Sequence, residues 1–137
     1  MVGKKKDNKK KVVMRKFDSG ATRDSTENKL SFIKALSPLV LKRYVQYIGK
    51  HRIQADGNLR DWDNWKHGIP EEVYMDSKGR HFIDAWMHHD GYGEEAEVGD
   101  IEDVLCAELF NTMGYLQEIL VKKLRKKKGI VKLKDKK

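Results

Sequence analysis

The stretch that decides the fold is residues 100–124, DIEDVLCAELFNTMGYLQEILVKKL. Leu105, Leu109, Met113, Leu116 and Leu120 recur at three- and four-residue intervals, the period of one helix face. Asp100, Asp103, Ala107 and Asn111 fall on the other side, so the spacing predicts an amphipathic helix with the leucine stripe turned to a core. Lysines and arginine follow in KKLRKKK, where positive charge suits a helix C-terminus, and Gly129 is the expected stop.

Two further helices are expected upstream. Residues 38–53, PLVLKRYVQYIGKHRI, follow Ser37 and open on a proline, a favourable first turn. Their apolar stripe is Leu41, Tyr44, Val45 and Ile48. Residues 70–89, PEEVYMDSKGRHFIDAWMHH, place Glu71 and Glu72 where unpaired amides favour negative charge. Gly79 weakens this helix and suggests close approach of another backbone. Between the two lies a loop, QADGNLRDWDNWKHGI, marked by Asp56-Gly57 and Gly68. No strand-like alternation of useful length stands out, so the expected class is all-α, a small helical bundle completed by a short fourth helix or a second copy.

Charge divides the chain. Residues 1–16 carry +7 and residues 122–137 carry +9, while residues 17–121 carry −8, within a total of +8. The expected layout is therefore a folded domain at 17–121 between disordered basic tails at 1–16 and 122–137. Lysine runs can hold polyanions without sequence preference, so non-specific nucleic-acid contact is one expectation for the tails. The single cysteine, Cys106, allows no internal disulfide and fits a reducing cytoplasm. No apolar run approaches a membrane span, and the basic N-terminus has no apolar core of a secretory signal.

Three clusters could carry chemistry. Glu94, Glu95, Glu97, Asp100, Glu102 and Asp103 crowd the start of the last helix, with Glu97, Asp100 and Asp103 three apart on one face. Such carboxylates could hold Mg²⁺ or Mn²⁺, or form a solvated helix start. Glu72 and Asp76 share a face of the preceding helix, and Asp76 is equally spaced for an ion pair with Arg80. His81, Asp84 and His88 line one side there without the spacing of a strong zinc signature. In the loop, Trp62 and Trp65 stand beside Arg60 and Lys66, a set that could stack on a base and meet phosphate, or cap the core. There is no Walker-type loop, Ser/His/Asp signature or Cys-x-x-Cys pair.

Taken in order, four pieces resemble one family. Ser19, Gly20, Ala21, Arg23, Asp24 and Lys29 match an SGA-x-RD opening and its following lysine, and Leu36-x-Pro38 leads into a helix. Asn64, Trp65, Gly68 and Ile69 match an NW-x-x-G loop. Asp76, Ser77, Arg80, His81 and Trp86 match a D-S-x-x-R-H helix, and Leu105 to Asn111 a closing helix with its asparagine. Over residues 17–120 the chain resembles the dATP/dGTP diphosphohydrolase N-terminal domain family, often viral, and through it the MazG-like all-α pyrophosphohydrolases. It departs at Val104, where that family often has histidine.

The resemblance implies a Mg²⁺- or Mn²⁺-dependent pyrophosphohydrolase of purine deoxynucleoside triphosphates. Glu97, Asp100 and Asp103 would be catalytic and would hold the metal with Glu72 and Asp76. Arg23, Lys29, Lys66 and Arg80 would meet phosphate, Trp65 would stack on the base, and Asn64, His81 and Asn111 would complete substrate binding. It implies a homo-oligomer in the cytoplasm, the host's if viral, with no membrane partner. A non-catalytic nucleotide- or nucleic-acid-binding module is the alternative.

Overall fold

The computed structural model describes residues 13–25 and 27–134, with side chains through Gly129. The chain divides into two units at Ser37/Pro38. Within the described residues the class is helical, as expected, with one small sheet that the sequence reading did not anticipate.

That sheet lies in the first unit. Strand β1 (Met14–Lys16) pairs antiparallel with β2 (Thr22–Asp24), Arg15 facing Arg23 in register. Gly20 closes the turn at φ +88°, donating its amide to the Phe17 carbonyl at 2.8 Å. Outside the ladder, Ser25 N donates to Val13 O at 2.6 Å. A domain boundary at 16/17 therefore cuts the hairpin, and the expected disordered tail gives way to strand at its last three residues. The rest of that tail, residues 1–12, lies outside the described residues. A one-turn helix, α1 (Phe32–Ala35), follows.

The second unit is built on α2 (Pro38–Lys50), α3 (Glu71–His89) and α4 (Ile101–Lys134). The three helices begin within a residue of the expected positions. The C-terminal end differs. Gly129 does not stop α4, and the segment expected as a basic tail continues the helix to Lys134. Residues 135–137 lie outside the described residues. At 34 residues α4 is about 51 Å long.

The face that α4 buries is also the reverse of the expected one. Val104, Ala107 and Asn111 are buried, and so is Gly114, whereas Leu105, Met113, Leu116, Leu120 and Leu124 are 46–59% exposed. The reason is close packing. α3 makes the most extensive contact with α4, and it brings the Tyr74 ring, 1% exposed, directly over Gly114. A Cβ at residue 114 would lie 2.3 Å from that ring, so only glycine fits. Small residues at 107 and 114 let the helices approach; a leucine stripe could not. Gly79, by contrast, has nothing within 4 Å of where its Cβ would be, so the expected close approach there does not occur.

Charged ties hold the helices in place. Arg43 on α2 donates to Glu102 Oε1 at 2.8 Å and Asp103 Oδ1 at 2.7 Å on α4, while Lys50 also donates to Asp103. Lys122 reaches Glu71 at the first turn of α3, at 2.6 Å. The α3–α4 connection is pinned from within: buried Asp84 accepts from the amides of Glu97 and Val98 at 3.0 and 3.2 Å. His88 Nε2 meets the Val98 carbonyl at 2.8 Å. Asp84 and His88 therefore order a loop and do not gather around a metal position. No helix among the described residues is long and apolar enough to cross a membrane.

Candidate functional site

The loop between α2 and α3 is folded, not slack. Ile53 and Leu59 form an isolated antiparallel bridge, and Arg60 N donates to Arg52 O at 2.7 Å. Asp56 Oδ1 accepts from Asn58 N at 3.0 Å and Gly57 takes φ +85°, the chemistry of a tight turn. Arg52 returns Nε to the Arg60 carbonyl at 2.8 Å and lays its guanidinium over Trp62, 4.6 Å from the ring. A 3-10 turn, Asn64–His67, then carries Trp65, and Lys66 Nζ stands 5.6 Å from its ring.

Against this loop the three helices form a half-open cavity of about 250 Å³. α2 contributes Tyr47 and Ile48; the loop His51, Arg52, Arg60, Asp61, Trp62, Asn64, Trp65 and Ile69; α3 Ser77 and His81; α4 Phe110 and Asn111. An adjoining apolar space of about 200 Å³ shares Trp62, Trp65, Ile48 and Phe110 with it, so both tryptophans also pack toward the helices.

The polar groups on this wall have defined roles. Asn111, buried in α4, donates its amide to Ala107 O at 2.9 Å and Ser77 Oγ at 3.2 Å. With the amide hydrogens so committed, its carbonyl oxygen is what the side chain offers. His81 Nδ1 is buried with no hydrogen-bond partner among the described residues, costly unless a ligand or water satisfies it. The His51 ring lies against Tyr47, centroids 4.4 Å apart and tilted by 49°. Burial, then the charge of Lys50, pushes its pKa down, so the neutral ring prevails at neutral pH. Burial, then Asp103, pushes the Tyr47 phenol up, and burial pushes neighbouring Tyr44 to about 12. Arg52 and Arg60 bring cations to the wall beside the aromatic rings.

Four of the predicted binding residues, Asn64, Trp65, His81 and Asn111, thus converge from three separate elements. Within the second unit, the predicted cations Lys66 and Arg80 do not line the cavity. Lys66 covers the Trp65 ring, Arg80 pairs with Asp76 on an exposed part of α3, and Arg23 and Lys29 are exposed side chains of the first unit. Tyr47, His51, Arg52 and Ser77 were missed, because only the fold of the 51–70 loop and the α2 helix phase bring them to this wall.

The predicted metal set is not assembled as the resemblance implies. Asp103 has both oxygens engaged, by Arg43 and Lys50, and those contacts, Lys50 first, hold its carboxyl below the usual carboxylate range. Its hydrogen bonds to Asp103 and then Glu102 push the Arg43 guanidinium up. Asp100 lies 3.7 Å from Arg43, Asp76 is paired with Arg80, and Glu72 and Glu97 are exposed. Among the described residues, no three His, Cys, Asp or Glu side chains are grouped to hold an ion. Asp100 and Asp103, two of the carboxylates expected to hold a divalent ion, already face Arg43, and Asp103 faces Lys50 as well. No family model, curated protein or solved structure matches the chain.

Proposed function

We propose that this domain binds a purine deoxynucleoside triphosphate, with the base in the cavity bounded by Trp65 and Asn111 and the phosphates toward Arg52 and Arg60. The observation that carries this reading is the convergence of aromatic faces, an inward amide and two arginines on the wall of one half-open cavity. Its volume, about 250 Å³, is below the roughly 300–1,000 Å³ of a pocket that takes a whole drug-sized ligand. It suits a base inserted edge-first with the rest of the nucleotide outside. Base–aromatic stacking contributes about 1–3 kcal/mol. A bicyclic purine offers Trp65 more ring than a pyrimidine does. The Asn111 carbonyl and His81 Nδ1 would read the polar edge, and arginine forks would meet the anionic tail.

Pyrophosphate release is the activity that the sequence resemblance adds. Of the carboxylates expected to hold Mg²⁺ or Mn²⁺, Asp103 is paired with Arg43 and Lys50, Asp100 lies by Arg43 and Asp76 is paired with Arg80, so the set does not fit that group in its present arrangement. The geometry therefore supports recognition more than turnover. Binding and turnover separate experimentally. Titration with each deoxynucleoside triphosphate should give saturable binding with purines ahead of pyrimidines. Pyrophosphate release from dATP or dGTP, with Mg²⁺ or Mn²⁺ and abolished by Asp103→Asn, would establish the hydrolase. Purine binding with no turnover would leave a recognition module. Absence of binding to every nucleotide would remove both.

A further inference from the structure

We propose that α4 forms a two-fold, antiparallel interface with the α4 of a second copy of this chain. The first observation is the exposed stripe itself. Leu105, Leu109, Met113, Leu116, Leu120 and Leu124 fall within about 100° of arc on the helix, and all but half-buried Leu109 are 46–59% exposed. Grooves of about 640 and 560 Å³ flank Leu105 on its α3 and α2 sides. The stripe thus lies along the open side of the three-helix unit, where a monomer would leave an apolar strip in water.

The second observation is the order of the spacings. From Leu105 they run 4, 4, 3, 4, 4, which reads the same in both directions. An isologous contact needs self-complementarity about its axis. Here an axis between Gly114 and Tyr115 sets Leu105 against Leu124 of the second copy, Leu109 against Leu120, and Met113 against Leu116. A parallel pair draws no advantage from this symmetry.

Charge gives the third argument. Lys122, Lys123, Arg125, Lys126, Lys127 and Lys128 are exposed on the C-terminal half of α4, which runs about 18 Å past Lys122. A short, highly cationic helix is marginal on its own. The opposite end is anionic, with Glu94, Glu95, Glu97, Asp100 and Glu102 all exposed. The antiparallel register that pairs the leucines also brings Lys127 beside Glu102 of the second copy, both on the stripe's own face. A nucleic acid would neutralise the lysines but would leave the leucines wet and face the acidic end with like charge.

Sedimentation of the full chain should give twice its 16.0 kDa mass, and Leu116→Glu should return a monomer with unchanged helical circular dichroism. If Leu116→Glu does not fold, a spin label at Lys127→Cys in a Cys106→Ala background keeps the test open. The antiparallel pair places the two labels roughly 35–40 Å apart along the axis, whereas a parallel pair would hold them at roughly the 8–10 Å helix spacing. A wild-type chain that stays monomeric at micromolar concentration, a short label distance, or an assembly indifferent to Leu116→Glu each overturns the proposal.

Discussion

Gly114 and Tyr74 set the distance between α3 and α4, and the rest of the second unit is arranged around that contact. Gly114→Ala would place a methyl 2.3 Å from a ring that is 1% exposed, so the ring or the helix must shift. The expected loss is about 2–3 kcal/mol, the upper range for overpacking, read from urea denaturation. Gly79→Ala is the internal control, since nothing lies within 4 Å of its new methyl. It should stabilise by up to about 1 kcal/mol through helix propensity. A loss at residue 79 as large as at residue 114 would contradict this account of the packing. At this scale only part of the cavity was legible. Asn64, Trp65, His81 and Asn111 each stood out as polar or aromatic groups inside recognisable motifs. Tyr47 and His51 did not, because at the end of the first long helical run they look like an ordinary helix flank until the loop folds over them.

α4 shows why element existence is easier to read than element orientation. Its period and its start followed from apolar spacing and from acidic residues in the first turn. Its buried face did not, because hydrophobicity ranks leucine above alanine, asparagine and glycine, whereas contact with an aromatic-bearing helix selects the small residues. The β1–β2 hairpin was hidden for a related reason: three exposed residues per strand carry no alternation to detect. Asp84 tests the element scale. Asp84→Ala should free the Glu97 and Val98 amides and cost about 2–3 kcal/mol, with faster hydrogen exchange confined to residues 91–100. Protection unchanged in that segment would contradict the role. The α2–α4 tie predicts an acid response. Lys50 and Arg43 lower the Asp103 pKa, so the folded chain binds that proton less tightly than the unfolded chain. The contribution is complete above about pH 4 and is lost as pH falls through the lower folded value. Asp103→Asn should lower Tm at neutral pH by several degrees and flatten the acid limb of the Tm–pH curve. An equally steep limb in the variant would argue against the tie.

Across the whole molecule, charge and aromatic surface point to different partners. The net charge of +8 comes from the chain ends, while residues 17–121 are acidic. Affinity for an anion at the cavity, which residues of this acidic stretch build, must then come from local placement, as Arg52 and Arg60 provide beside the tryptophans. The cavity claim is the one on which the functional reading stands. Calorimetric titration of dGTP and dATP, with dCTP and dTTP as comparison, into wild type and Trp65→Ala tests it most directly. The account predicts purine-selective binding by wild type, weakened about 10- to 100-fold in Trp65→Ala with the fold retained. Wild-type and Trp65→Ala chains that bind purine nucleotides equally well, or no saturable heat from either, would contradict it.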